Sequence, residues 1–279
     1  MLMPRFLVPI DFSAVSVNAA LYAVQMAEHM PQKEVILFNV TEEILAGVDG
    51  TPINFNGDAL VASNLAALEN LQVNLFEMGM SPMQVVAEIG ELPERLKPAI
   101  ERFNVDMVVM GITGTSSYDD NFLGKNALDI SRNNSCPVMI VPPNAMFKGS
   151  GKIAIVVEYR DVEKTVSLNP IKKWLDILNP ELHFIYVAPN SETELTTEQL
   201  AEKEKLQILF RNYKTVFTIV NSRGFTDGVN SYVDTNQIDQ IIIFPKKYSL
   251  FESIFSSDHT KKLAYHSHVP VISVHEFQD

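Results

Sequence analysis

Three glycines in the first half of the chain have a spacing that suits a bound anion. Gly111 and Gly114 are separated by two residues, and Gly124 follows after nine more. Because glycine has no Cβ, its backbone N–H group can approach an anion closely. Lys125 and Asn126 come next and open a predicted helix, where free N–H groups and the helix dipole attract phosphate. The spacing therefore predicts a site for a phosphorylated ligand.

An acidic residue stands where it can meet the same ligand. Asp11 follows the short apolar run Arg5–Ile10, and its carboxylate can accept hydrogen bonds from a ribose hydroxyl. Met110 ends another predicted strand, which runs into Gly111. In an open parallel sheet, ligands bind outside the carboxyl ends of the strands, where strand order reverses. The alternative is that Asp11 only helps to cap the helix predicted to begin at Ser13.

Each of these features also has a purely structural interpretation. Two glycines separated by two residues occur in ordinary turns, and Lys125 is equally well explained as a solvated residue in the first turn of a helix. The third glycine, the flanking strand and helix, and the acidic strand end make the combined pattern more specific than Gly-x2-Gly alone.

The elements that must position these residues alternate along the first half. Runs rich in strand-forming residues are followed by segments with apolar residues at helical spacing. The predicted strands are Arg5–Ile10, Val35–Val40, Met83–Ile89, Asp106–Met110 and Val138–Val141, and the predicted helices follow Ser13 or span Asp58–Met78, Leu92–Phe103 and Lys125–Arg132. Near-continuous apolar strands are typical of a parallel sheet covered on both faces.

The second half repeats this order. Its predicted strands are Ile153–Val157, Leu182–Val187, Val216–Val220, Ile238–Phe244 and Val269–Val274. A duplication at half the chain length predicts two domains, which we place at residues 1–146 and 147–279, joined by the loop-forming segment Pro142–Gly151. The predicted fold class is α/β, with two tandem, doubly wound, five-stranded parallel-sheet domains of the Rossmann-like type. One continuous domain of ten strands is the alternative.

Composition excludes several classes of protein. The net charge is −12, of which −10 falls in residues 1–146, so neither half has the basic excess that binds nucleic acid. The one cysteine, Cys136, favours a reducing compartment. No segment approaches the roughly 18 consecutive apolar residues of a membrane span, and the start of the chain lacks a signal-peptide pattern. These observations predict a cytoplasmic protein that binds neither nucleic acid nor a membrane.

The sequence resembles the universal stress protein family in its tandem-domain form. The similar segments are Leu7-Val8-Pro9-Ile10-Asp11-Phe12-Ser13, Val108-Val109-Met110-Gly111-x2-Gly114-x9-Gly124 and Ser135-Cys136-Pro137-Val138-Met139-Ile140-Val141. The resemblance implies five-stranded domains of the adenine nucleotide alpha hydrolase-like type that pair through their last strands as an intramolecular pseudo-dimer. Association of two chains into a homodimer is a further alternative. The resemblance also implies ATP as the ligand, with ADP and AMP as alternatives.

Carried over residue by residue, the resemblance places Asp11 against the adenosine, with Pro9 and the backbone of Val40 near the base. The full set of predicted site residues is Pro9, Ile10, Asp11, Val40, Met110, Gly111, Thr113, Gly114, Gly124, Lys125 and Asn126. The last four residues of this set, Gly114, Gly124, Lys125 and Asn126, would hold the phosphates. The family has a small hydroxyl residue where this chain has Lys125, which leaves the phosphate geometry and any dependence on Mg²⁺ open.

The second half departs from the family pattern. Its fourth strand runs into the glycine-free segment Pro245-Lys246-Lys247-Tyr248, and Glu158 replaces Asp11. Ser257 or Asp258 falls where Gly124 lies in the first half. Pro245 removes a backbone donor, and side chains crowd the place where phosphate would approach. We therefore predict that only the first half binds nucleotide.

Residues that would make the protein an enzyme are not evident. The chain has no Gly-x-Ser-x-Gly, Gly-x4-Gly-Lys-Ser/Thr or His-Glu-x2-His motif. His259, His266, His268 and His275 lack zinc-type spacing and are interpreted as ordinary surface residues. The leading hypothesis is an ATP-binding regulatory or stress-response module with no catalytic residues and no metal site. The alternatives are an interaction scaffold that binds no nucleotide and a slow ATPase.

Overall fold

The computed structural model describes residues 3–30, 33–42, 56–77, 83–112, 130, 136–188, 194–244 and 267–274. The chain divides into two compact units, Met1–Met110 and Gly111–Asp279. Apart from Ile130, the predicted helix Lys125–Arg132 lies outside the described residues. The fold is α/β, as predicted, with helices alternating with the strands of a mostly parallel sheet.

The first unit contains parallel strands whose order reverses beside the first of them. Its described elements are β1 (Arg5–Pro9), α1 (Ala14–Glu28), β2 (Glu34–Thr41), α2 (Gly57–Glu77), β3 (Met83–Ile89), α3 (Leu92–Phe103) and β4 (Met107–Gly111), and the division between the units falls inside β4. The strands lie in the order β3-β2-β1-β4, and β1 is parallel to both neighbours. This reversal is the feature that creates a ligand crevice in open α/β sheets.

The second unit begins with the strand that ends the first half of the sequence. Its described elements are β5 (Val138–Val141), β6 (Lys152–Val156), α4 (Val162–Thr165), α5 (Asn169–Leu178), β7 (Glu181–Ala188), α6 (Thr197–Leu209), β8 (Thr215–Asn221), α7 (Phe225–Asn236), β9 (Gln240–Ile243) and β10 (Val271–Ser273). The strands lie in the order β5-β10-β9-β6-β7-β8. All the pairs from β10 to β8 are parallel, whereas β5 is antiparallel to β10.

Burial explains why the strands are apolar along their whole length. Leu7, Val8 and Ile36 are fully buried in the first unit, and Ile155 and Ile242 are fully buried in the second. Strands with helices on both faces have no solvent side, so both sets of alternating side chains are apolar. The outer strands β3 and β8 are only half buried, and their sequences are correspondingly more polar.

The two units repeat the same hydrogen bonds at the amino ends of their strands. The Arg5 N–H donates to the Asp106 carboxylate at 2.9 Å, and the Asp106 N–H donates back to the Arg5 carbonyl, also at 2.9 Å. Lys152 and Asp239 exchange the same two bonds at the same distances in the second unit. The similarity between the halves therefore extends to individual backbone contacts.

The structure shortens two predicted strands of the second half. The strand predicted over Val269–Val274 is reduced to β10 (Val271–Ser273), and the strand predicted over Ile238–Phe244 is also shorter. β9 (Gln240–Ile243) lacks the first two residues of the predicted strand Ile238–Phe244. The Ile238 N–H donates to the Val233 carbonyl at 3.0 Å, which closes the end of α7, and Asp239 is held by Lys152. The apolar character of Ile238 serves the helix end, a contact that an apolar run does not distinguish from a strand.

Candidate functional site

The carboxyl end of β1 brings Pro9, Ile10 and Asp11 to the point where the strand order reverses. The Ile10 N–H donates to the Phe38 carbonyl at 2.8 Å, so the pairing of β1 with β2 continues one residue beyond the strand. Phe12 then adopts a left-handed backbone with φ 63°, which turns the chain sharply into α1. Asp11 is exposed at this turn.

Asp11 takes part in the cap of α1. Its Oδ1 accepts a hydrogen bond from the Ser13 N–H at 3.0 Å and another from the Ser13 hydroxyl at 2.6 Å. Ser13 is the N-cap residue, as predicted, and its hydroxyl oxygen accepts from the Ser16 N–H at 3.3 Å. Both bonds to Asp11 use one carboxylate oxygen and leave the residue exposed, so the capping contact and a ligand contact are compatible.

Polar side chains at the end of β2 connect α2 with this turn. The Asn39 amide group donates to the Ile10 carbonyl at 2.8 Å, and the Asn39 Oδ1 accepts from the Thr41 hydroxyl at 3.1 Å. The Thr41 hydroxyl oxygen accepts from the amide group of Asn64 on α2 at 2.7 Å. We call Asn39, Thr41 and Asn64 the edge network. Val40 lies between two of its members and is half buried.

Sequence reasoning missed the edge network. Asn39 is only 4% exposed, and a buried amide in an apolar strand requires hydrogen-bond partners. Asn39 and Thr41 stand out as polar residues in the otherwise apolar segment Val35–Thr41. These two polar residues were a sign of hydrogen bonds at the end of the strand, but the sequence does not say which distant groups form those bonds.

The carboxyl end of β4 lies beside that of β1. Phe6 pairs with Met107 and Leu7 with Val108, and β4 then runs to Met110 and Gly111, which are buried. The structure therefore brings Pro9, Ile10, Asp11, Val40, Met110 and Gly111 to the carboxyl ends of three neighbouring strands. The remaining predicted site residues, Thr113, Gly114, Gly124, Lys125 and Asn126, lie outside the described residues.

The second unit has the same backbone arrangement at the end of β6. The Val157 N–H donates to the Ile185 carbonyl at 3.0 Å, as the Ile10 N–H does to the Phe38 carbonyl in the first unit. This register makes Glu158 the counterpart of Asp11. The comparison between the two strand ends is therefore residue by residue.

Aromatic side chains occupy that strand end in the second unit. Tyr159, the counterpart of Phe12, is only 5% exposed, whereas Phe12 is 40% exposed. The Tyr159 ring lies 5.5 Å from the ring of Tyr186, which replaces Asn39 in the register. Burial raises the pKa of Tyr159 to about 12. The strand end that carries Asp11 and a buried amide in the first unit therefore carries a buried aromatic contact in the second.

In the described part of the chain, no group of three or more His, Cys, Asp or Glu side chains could hold a metal ion. His268 is exposed, whereas His259, His266 and His275 lie outside the described residues.

Pro245, Ser257 and Asp258, which the sequence singled out in the second half, also lie outside the described residues. No helix among the described residues is long and apolar enough to cross a membrane.

Known proteins share both sequence and fold with this chain. The model of the universal stress protein family matches residues 3–142. Universal stress protein YxiE of Bacillus subtilis is 29% identical over 146 residues, which cover 49% of this chain and 97% of the relative.

Solved structures extend the likeness to nearly the whole chain. A universal stress protein from Archaeoglobus fulgidus has a TM-score of 0.71 at 17% identity and covers 99% of this chain and 97% of its own. A Pseudomonas aeruginosa protein described as functionally unknown has a TM-score of 0.59 at 13% identity, with coverage of 98% and 92%. The fold and the family match over half of the chain together show that this protein belongs to the universal stress protein family.

Proposed function

We propose that this protein binds an adenine nucleotide, ATP or its products ADP and AMP, and acts as a nucleotide-responsive regulatory module in a stress response. The observation that carries the proposal is the placement of Asp11 and Met110 at the carboxyl ends of β1 and β4, where the strand order reverses. Ligands of open α/β sheets bind at such points. The glycine pattern begins at Gly111, the last residue of β4.

The residues at this edge suit the parts of a nucleotide. The exposed Asp11 carboxylate has an oxygen directed to the cap and can offer the other to the ribose hydroxyls. Pro9 and the backbone of Val40 would border the base. Gly114 and Gly124 would bring backbone N–H groups to the phosphates, where the helix predicted over Lys125–Arg132 would contribute its positive end. Membership of the family supports this assignment of roles.

The second domain, residues 147–279, is proposed to bind no nucleotide. The buried Tyr159 and its contact with Tyr186 support this, since they occupy the strand end that corresponds to Phe12 and Asn39. The antiparallel pairing of β5 with β10 joins the strands that close residues 1–146 and 147–279. This pairing supports an intramolecular pseudo-dimer, in which the second domain is a structural mate.

The proposed role is binding rather than catalysis. None of the described residues at the edge is assigned as a general base. Phosphoryl transfer depends mostly on positioning and on charge stabilisation, so slow hydrolysis of ATP without such a base is the alternative. A cytoplasmic location is part of the proposal, and the buried Cys136, which forms no disulfide, agrees with a reducing compartment.

Titration calorimetry with ATP, together with mass spectrometry of small molecules released from the denatured protein, tests the proposal. We expect one nucleotide per chain. Asp11→Ala should weaken binding about tenfold, the effect of losing one charge-assisted hydrogen bond, whereas Glu158→Ala should leave it unchanged. Absence of binding would favour the scaffold alternative, and a ratio near two would contradict the assignment of the second domain. Steady-state release of phosphate from ATP would indicate an ATPase.

A further inference from the structure

The edge network links α2 to the backbone that carries Asp11. Its bonds run from Asn64 to Thr41, from Thr41 to Asn39, and from Asn39 to the Ile10 carbonyl, with donor–acceptor distances of 2.7, 3.1 and 2.8 Å. All of these residues lie in the first unit. The last acceptor belongs to the peptide group that joins Ile10 to Asp11, so the network ends on the candidate site.

The network has a fixed direction. The Asn39 amide nitrogen must donate to the Ile10 carbonyl, which makes the other amide atom, Oδ1, an acceptor. The single hydroxyl proton of Thr41 is used in donating to that oxygen, so the Thr41 oxygen can only accept from Asn64. A carboxylate in place of the Asn64 amide could not donate, and the Thr41 proton would turn towards it.

The turn after Ile10 needs to be held from several sides. The Ile10 N–H donates to the Phe38 carbonyl, and its carbonyl accepts from Asn39, so the residue is fixed on β2 by both backbone groups. Phe12 then has a φ of 63°, a conformation that costs a residue with a Cβ roughly 1 kcal/mol or more. The direction in which Asp11 points depends on keeping this turn in place.

We propose that Asn64 and Thr41 are positioning residues of the nucleotide site. Through Asn39 they hold the Ile10–Asp11 peptide group in the orientation that presents the Asp11 carboxylate to the ligand. This inference rests on the proposed function and adds a dependence of that site on α2. Because coupling is reciprocal, nucleotide bound at Asp11 would also stabilise the contact of α2 with β2.

The substitution Asn64→Asp tests the inference with almost no change in shape. It removes the amide donor, and we expect ATP to bind about tenfold more weakly, as for the loss of one well-formed hydrogen bond. Gln72→Glu is the matched control. It also replaces an amide of α2 by a carboxylate. Gln72, however, donates to the carbonyl of Met83, at the amino end of β3, whereas Thr41 pairs with Ile89 at the carboxyl end of that strand. This control should bind ATP within about twofold of the wild type.

A second variant keeps the test independent of the added charge. Thr41→Val preserves the branched side chain and removes the hydroxyl, so it should weaken ATP binding to a similar degree. Combined with Asn64→Asp it should add little, because both changes break the same series of bonds. Hydrogen exchange without nucleotide supplies a separate readout. The amides of residues 10–16 should exchange faster in Asn64→Asp than in Gln72→Glu.

The outcomes separate the two proposals. If the wild-type chain binds no ATP, the proposed function is wrong. If it binds ATP and Asn64→Asp binds it equally well, with unchanged exchange at residues 10–16, the positioning role alone is wrong. Equal weakening by Asn64→Asp and Gln72→Glu would also overturn it, because the effect would then come from charge or helix stability. Weakening confined to Asn64→Asp and Thr41→Val supports the inference.

Discussion

The two halves of this protein agree at one edge of their sheets and differ at the other. At the amino ends of the strands, Arg5 with Asp106 and Lys152 with Asp239 make the same pair of bonds at 2.9 Å. At the carboxyl ends, a polar network in the first half is replaced by the Tyr159–Tyr186 pair in the second. The bonds at the amino ends are therefore the same in both halves, whereas the groups at the carboxyl ends, where we propose that nucleotide binds to the first half, differ.

The buried residues of the two halves differ as well. At one position of the sheet, it is the second half that has the polar side chain. His183 is 4% exposed, and its Nδ1 lies 2.9 Å from the Tyr232 hydroxyl, which is 3.2 Å from the Thr218 hydroxyl. The register places Ile36 of the first half where His183 lies in the second. A polar cluster of β7, β8 and α7 therefore includes the position at which the first half has the apolar Ile36, away from the carboxyl edge.

The largest expected effect comes from removing the Tyr159–Tyr186 contact of the second half. Tyr159→Ala should lower the free energy of unfolding by about 3 kcal/mol, because it empties a buried aromatic site. Phe12→Ala, at the exposed counterpart, should cost less than about 1 kcal/mol. Urea unfolding followed by circular dichroism measures both. Fluorescence of the one tryptophan, Trp174, which is buried in the second unit, reports on Tyr159→Ala directly. Similar losses in the two variants would contradict the contrast.

The second-largest expected effect concerns the difference in nucleotide binding between the two halves. Gly114→Val should weaken ATP binding about a hundredfold, because a branched side chain would keep backbone N–H groups from the phosphates and remove about two charge-assisted hydrogen bonds. Lys247→Val, at the corresponding position of the second half, should leave the affinity unchanged. Calorimetric titration of each purified variant gives both constants. Unchanged binding in Gly114→Val would mean that the glycines serve only as turns.

The smallest expected effect concerns acidification of the second half. The pKa of His183 is lowered, mainly because the side chain is buried. The positive charges of Lys152 and Lys214 lower this pKa further, whereas the neighbouring Glu181 carboxylate opposes the shift. The unfolded state then binds the proton more readily, so the stability contributed by neutral His183 is present above its ordinary pKa of about 6.5 and is lost as the pH falls below it.

Urea unfolding at pH 7 and pH 5, followed by Trp174 fluorescence, measures this loss above the range in which carboxylates titrate. His183→Gln should be less sensitive to pH than the wild type, because the amide can still reach Tyr232 but does not titrate. His29→Gln, on the exposed end of α1, is the control and should keep the wild-type dependence. Equal pH sensitivity in wild type and His183→Gln would refute the assignment.

Local patterns were sufficient to predict most elements. Ser13 was predicted to cap α1 and does so, because an N-cap depends on residues within one turn of the helix. Met83–Ile89 and Leu92–Phe103 have the predicted bounds. The error at Ile238 arose where an apolar residue closes a helix instead of extending a strand.

The long-range contacts of the candidate site could not be predicted in the same way. Asn39 and Asn64 meet through Thr41, and Asn39 reaches Ile10, although these residues are 23 to 29 positions apart. The sequence predicted crowding in the second half from Pro245, which lies outside the described residues. The buried contact of Tyr159 with Tyr186, which the structure describes at the end of β6, had not been singled out from the sequence.

The sequence by itself determined the alternation of strands and helices, the repeat of that order in the second half, and the glycine spacing that points to phosphate. These features depend on residues close together in the chain. Only the tertiary structure decided that β1 lies between β2 and β4, that Asp11 shares its carboxylate with a helix cap, and that Tyr159 is buried while Phe12 is exposed. The physical reason is that strand order and burial are set by the packing of distant segments, which apolar periodicity does not specify.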